Sequence, residues 1–145
     1  MNPPAPVAFA IRPMTEADLP LARALWRQSE GVELAEGDEL LELIGYLRRN
    51  PGLSQVACSG DTLVGAVLAG HDGRRGYLYH LAIAPAARNH GLGRELVART
   101  LALLRQQGLR RALILVVTDN EAGKAFWARC GWEELDLAEP MGFDL

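Results

Sequence analysis

Cysteine is scarce: 145 residues contain only Cys58 and Cys130. The two are far apart, form no C-x-x-C pair and join no Cys/His cluster. That excludes the usual zinc arrangements, so no metal is expected and both thiols are predicted to be free in a reducing compartment. The sequence also lacks an apolar run long enough to span a bilayer, and no basic segment leads into an apolar one at its start. A cytoplasmic protein with no membrane partner is the expectation. Strong charge is missing too. Fifteen basic against eighteen acidic residues leave a net charge of −3. This balance argues against a nucleic-acid partner held by bulk electrostatics, and it permits a cationic substrate such as an amine.

What remains is the composition of one globular domain over residues 1–145, with 1–6, rich in proline, as a flexible tail. A strand is expected over 8–12. Thr15 and Asp18 look like a helix cap and its N3 carboxylate. Leu19, Ala22, Leu25 and Trp26 recur at helical spacing, which predicts a helix over 16–28. A loop over 31–37 carries Glu33 and Glu36, and a second helix is expected over 38–49, stopped by Asn50-Pro51-Gly52. Strands follow over 53–59, 62–69 and 77–84, the first two joined by a tight turn at Gly60-Asp61. A third helix is predicted over 91–107 and ends at Gly108. The β-branched run over 112–117 reads as a central strand buried on both faces. A fourth helix is expected over 120–130, then strands over 132–137 and 141–145. The order β-α-α-β-β-β-α-β-α-β-β is a mixed α/β layer fold.

The third helix starts in a distinctive way. Arg88-x-x-Gly91-x-Gly93 lies between the apolar strand end Leu81-Ala82-Ile83-Ala84-Pro85 and the helix. A helix start offers free amides and a positive dipole end, and glycines let a phosphate come close. Alone, the pattern would suit any phosphate, or none.

A second motif narrows it. Asn120-Glu121-Ala122 stands ahead of Phe126-Trp127 and Gly131-Trp132. Together, and on these elements, the two motifs resemble the GNAT superfamily of acetyl-CoA-dependent N-acetyltransferases over nearly the whole chain. The segment Gly70-His71-Asp72-Gly73-Arg74-Arg75-Gly76 is similar to the small bacterial YpeA-like branch. The resemblance implies that the backbone of Gly91, Leu92, Gly93 and Arg94, with Arg88 and Asn89, cradles the pyrophosphate of acetyl-CoA. It implies that the backbone of Leu81, Ala82 and Ile83 pairs with the pantetheine arm, that the fourth and fifth strands splay apart, and that Asn120 holds either the acetyl donor or the start of the fourth helix. The acceptor would be a primary amine on a small molecule or a peptide. A homodimer through the late strands is a further expectation.

The same resemblance exposes a departure. Trp127 stands where many relatives carry a tyrosine thought to protonate the leaving thiolate, and an indole N–H cannot act as an acid near neutral pH. A rival reading follows, in which the chain is a coenzyme A-binding sensor that has lost its chemistry. For the base that a direct attack requires, His80 has the right chemistry, and it reads equally as a sheet-facing histidine. Glu33 is the second candidate, with a solvated loop carboxylate as the alternative. Asp72 and Arg75 read as acceptor contacts or as turn residues. Cys130, Tyr46, Tyr77 and Tyr79 are spare candidates for acid or covalent work.

Overall fold

Ser59 faces Thr62 across the Gly60-Asp61 turn, where Gly60 takes φ 59°. Only a residue tolerant of positive φ reverses the chain this tightly, and the turn joins β2 (Gln55–Ser59) to β3 (Thr62–His71). In the computed structural model, which describes residues 8–145, this hairpin is the middle of a five-stranded sheet. β1 (Ala10–Pro13) lies antiparallel to β2, β4 (Gly76–Ile83) antiparallel to β3, and β5 (Ala112–Leu113) parallel to β4. The sheet belongs to the first of two compact units, Met1–Leu115 and Val116–Leu145. The tail expected over 1–6 lies outside the described residues.

Helices cover both faces of the sheet. α1 (Leu19–Arg27), entered through a 3-10 turn at Glu16–Asp18, and α2 (Leu40–Arg49) lie on one side. Leu19, Ala22 and Trp26 of α1 and Leu43 and Leu47 of α2 pack with Val56, Ala66, Leu68 and Ala82 of the strands. α3 (Leu92–Gln106) takes the other face. A methyl group at Gly65 would stand 2.9 Å from the Ile83 side chain and 3.2 Å from Leu96 of α3, and one at Gly76 would stand 2.7 Å from Leu104. These glycines let α3 settle close to the sheet. The mixed α/β class is therefore observed, and the element order holds from β1 to the fourth helix.

The approach to α1 is pinned by Asp18, which is only 8% exposed. Arg12 donates to both its carboxylate oxygens, at 2.6 and 2.8 Å, and the Thr15 amide and hydroxyl donate at 2.8 and 3.0 Å. The Arg12 guanidinium first, and the Thr15 donors after it, hold the Asp18 carboxyl down at about 2. A carboxylate depressed in the folded state adds stability above its unfolded value near 3.8, and that contribution disappears as pH falls through about 2. Arg12 is partly solvated, so the contribution is about 1–2 kcal/mol after screening. Asp18→Asn should lower the unfolding free energy measured by urea titration at pH 6 by that amount and bring little change at pH 2. An equal loss at both values would refute the linkage.

The second unit holds α4 (Glu121–Arg129). The Asn120 side chain accepts from the Gly123 amide at 3.0 Å and caps this helix. A Cβ at Gly123 would meet the Asn120 side-chain amide, which would have to shift to admit it. The strands expected over 132–137 and 141–145 do not form, and Leu137, Met141 and Phe143 are exposed. Apolar alternation can suggest a strand, but a strand needs a ladder partner, and these residues pair with none among the described residues. The run over 112–117 is also corrected. Only Ala112 and Leu113 join the sheet, both half-buried, and Leu115 is 70% exposed.

Candidate functional site

β4 is longer than its neighbour on one side. β5 pairs with Gly76 and Tyr77 only, so the backbone from Leu78 to Ile83 has no partner strand along that edge among the described residues. On the other side it pairs with β3, with an interruption. Ala82 faces Ala66 and Tyr79 faces Leu68, so His80 and Leu81 together stand opposite Val67 alone. That is a β-bulge, one extra residue in β4. His80 carries its strain at φ 55°, a conformation that costs a non-glycine residue roughly 1–2 kcal/mol and that histidine tolerates better than most.

The bulge changes which side chains share a face. In a regular strand Tyr79 and Ala82 would point to opposite faces. Here both pack into the core shared with α1 and α2. His80 is brought to the same side. Its ring lies 5.4 Å from the Trp26 ring, centre to centre, and 6.3 Å from Tyr79. Its Nε2 is 2.9 Å from Asp38 Oδ1, with the two side chains only 15% and 14% exposed. Trp26 is fully buried, and its indole N–H has no acceptor among the described residues.

Asp38 is itself well held. Its Oδ2 accepts from the Ala35 amide at 3.0 Å, and its backbone carbonyl accepts from Arg23 Nε at 3.1 Å. Arg23 also approaches the Glu39 carboxylate at 3.6 Å. Asp38 was read in the sequence only as the first residue of the second helix. α2 begins instead at Leu40, with Glu39 as its cap, which leaves Asp38 in the loop.

Beyond β4 the chain makes a 3-10 turn at Pro85–Ala87 and enters α3. Asn89 takes φ 66° and Gly91 φ 76°, so two left-handed residues stand just before the helix. Such alternation turns successive amides toward one side, as in anion-binding backbone concavities. Leu92 and Gly93 open α3, and first-turn amides have no carbonyl one turn back. A Cβ built on Gly91 meets nothing within 4 Å, so the space over the turn is open. Arg88 Nε donates to the Ile83 carbonyl at 3.2 Å and ties the turn to the strand end. The His90 Nδ1 lies 2.8 Å from the Arg88 carbonyl. Arg94 is exposed on the first turn of the helix.

The remaining candidates separate. Glu33 is exposed and has no hydrogen-bond or ion-pair partner among the described residues. Asp72 accepts the amides of Arg74 and Arg75, both at 2.8 Å, which makes it a turn cap; those amides hold its carboxyl below the ordinary range. Burial pushes the Tyr46 and Tyr79 phenols up, so both stay protonated and are poor acids at neutral pH. Trp127 belongs to an aromatic group in the second unit. Its ring lies 5.2 Å from Phe126 and 5.2 Å from Trp132, both edge-on. Cys58 and Cys130 are free and half-buried. Among the described residues no cluster could hold a metal ion, and no helix is long and apolar enough to cross a membrane.

Comparison with known proteins adds four findings. The model of the acetyltransferase (GNAT) family matches residues 19–132. An acetyltransferase of Yersinia pestis (strain Pestoides F) is 31% identical over 99 residues, which cover 68% of this chain and 70% of that one. Among solved structures, Ard1 from Thermoplasma volcanium superposes with a TM-score of 0.76 at 21% identity, covering 86% and 82% of the two chains. Rv2747 from Mycobacterium tuberculosis, in complex with CoA and NLQ, superposes at 0.71 with 25% identity, covering 88% and 73%.

Proposed function

Since the chain belongs to the acetyltransferase (GNAT) family, we propose that it moves the acetyl group of acetyl-CoA onto a primary amine by direct attack on the thioester. The observation that carries this reading is the edge of β4 from Leu78 to Ile83, which has no partner strand among the described residues and leads into a helix opened by Gly91. An exposed strand edge accepts an extended chain as if it were a further strand, and pantetheine, with its two amides, is such a chain. The open turn over Gly91 suits a pyrophosphate on the amides of Leu92, Gly93 and Arg94, with Arg88 and Asn89 at its side. The presence of CoA in the Rv2747 structure supports the donor. An unpaired amide among Leu81, Ala82 and Ile83 would polarise the thioester carbonyl and stabilise the oxyanion.

His80 serves as the base in this reading, since it stands on the same strand and is half-buried. Glu33, solvated and unpartnered, is left to acceptor contact or to solvent. Asn120 caps its own helix. The segment from Gly70 to Gly76 supports a relation to the YpeA-like branch. The amine belongs to a small molecule or to a peptide, as its terminus or a lysine, and the site of action is the cytoplasm.

The purified protein, mixed with acetyl-CoA and a panel of primary amines, should release thiol faster than solvent alone does. No release across the panel, with acetyl-CoA still bound, would replace the enzyme by the coenzyme A-binding sensor. Trp127 in the tyrosine position favours that second reading. A large gain in turnover from Trp127→Tyr would identify a decayed catalyst, and no gain would show that the thiolate leaves without help from that position.

A further inference from the structure

We propose that Asp38 is a positioning residue that holds His80 as the Nε2–H tautomer, so that Nδ1 is the atom that takes the proton from the acceptor amine. The second half of this statement rests on the acetyl-transfer reading, and the first does not. A carboxylate only accepts hydrogen bonds, so the 2.9 Å contact from Asp38 Oδ1 requires the proton on Nε2. A neutral imidazole carries one ring proton, which leaves the Nδ1 lone pair as its base.

The contact is constructed rather than incidental. The two residues are 42 apart in sequence and come from different elements. His80 reaches Asp38 only because the β4 bulge, with φ 55°, turns it to the α1 side. Its ring lies against the Trp26 ring at an interplanar angle of 54°. The other carboxylate oxygen is occupied by the Ala35 amide, and the Asp38 backbone is tied to Arg23. Each partner's rotation is therefore restricted by groups other than the pair itself. Strained backbone of this kind persists only where the surroundings over-determine it, and it gathers at functional sites.

The amine lone pair forms the N–C bond, its proton goes to Nδ1 of His80, and the C–S bond breaks with the electron pair on sulfur. The thiolate takes a proton from water, and the hydroxide left takes the proton back from Nδ1, so the imidazole ends neutral. Asp38 gains and loses nothing; it holds the ring and faces the positive imidazolium that forms. Because Oδ2 is bonded to Ala35, the loop between α1 and α2 also sets the angle of the base. A rearrangement of that loop on acceptor binding would change the proton acceptor's alignment.

The tautomer can be read on the wild-type protein alone. With 15N-labelled histidine, the His80 ring should show one protonated nitrogen, Nε2, and a bare Nδ1. A ring protonated at Nδ1 would overturn the proposal whether or not any amine is acetylated. In Asp38→Asn the side-chain amide can present either end to Nε2, and a mixture of tautomers is expected. The acetylation kcat should fall on the order of 10²-fold or more with the KM for acetyl-CoA unchanged, and Asp38→Glu should recover part of it. A wild-type kcat in a folded Asp38→Asn protein would overturn the role in proton transfer. Absence of turnover in the wild type, with the Nε2–H tautomer present, would refute acetyl transfer and leave the positioning intact.

Discussion

Replacing His80 by asparagine should lower kcat for acetyl transfer on the order of 10²–10³-fold and leave acetyl-CoA affinity near that of the parent, because a positioned base is worth that much and makes no phosphate contact. Asparagine is the right substitution here. His80 has φ 55°, and Asn is among the few residues that accept this region. Alanine would remove the imidazole and add backbone strain of about 1 kcal/mol, so His80→Ala mixes two effects. The measurement is a pair: steady-state kcat with a saturating amine, and acetyl-CoA titration by calorimetry. Alkaline conditions give a further check. If His80 is the base, the rise of the rate with pH in the parent should flatten in the variant. A kcat within a few-fold of the parent, at every pH, would remove His80 from the chemistry and return the proton to solvent or to Glu33.

This expectation was only half legible in the sequence. His80 could be placed on the fourth strand, because that strand is a short apolar run bounded by turn signals. Its facing could not. Strand periodicity assigns alternate side chains to opposite faces, and the bulge at His80 and Leu81 shifts that assignment by one residue. No local pattern announces the bulge, since the residue at positive φ is histidine and not glycine. Asp38 was invisible for another reason. It lies 42 residues away, and a carboxylate at the head of a helix pattern already has a sufficient local explanation as a cap. Features encoded locally were readable. The Gly60-Asp61 hairpin, the Asn120 cap and the glycine entry into α3 each depend on a few consecutive residues, and each appears in the structure. The closing strands expected over 132–137 and 141–145 failed on the opposite count. Apolar alternation there is real, but a ladder depends on a partner that alternation cannot supply.

The glycine entry yields the other large effect. Gly93→Val should weaken acetyl-CoA binding about 10²–10³-fold in a protein that remains folded. Gly93 is the better probe than Gly91, although both stand in the motif. Gly91 has φ 76°, so a β-branched residue there would distort the turn whatever its effect on the ligand. Gly93 lies inside α3, among residues with helical geometry, and valine is the better helix former of the two. Its isopropyl group would occupy the approach to the first-turn amides. Two lost charge-assisted hydrogen bonds at about 1.5–3 kcal/mol each would account for that change. The same titration with ADP separates the sources of affinity. If the turn holds the pyrophosphate and the β4 edge holds pantetheine, the variant should lose ADP as well as acetyl-CoA, and the parent should bind ADP more weakly than coenzyme A. Equal affinity of the parent for ADP and coenzyme A would reduce the site to a general nucleotide binder. Undiminished acetyl-CoA binding by a folded Gly93→Val protein would move the phosphate away from this helix altogether.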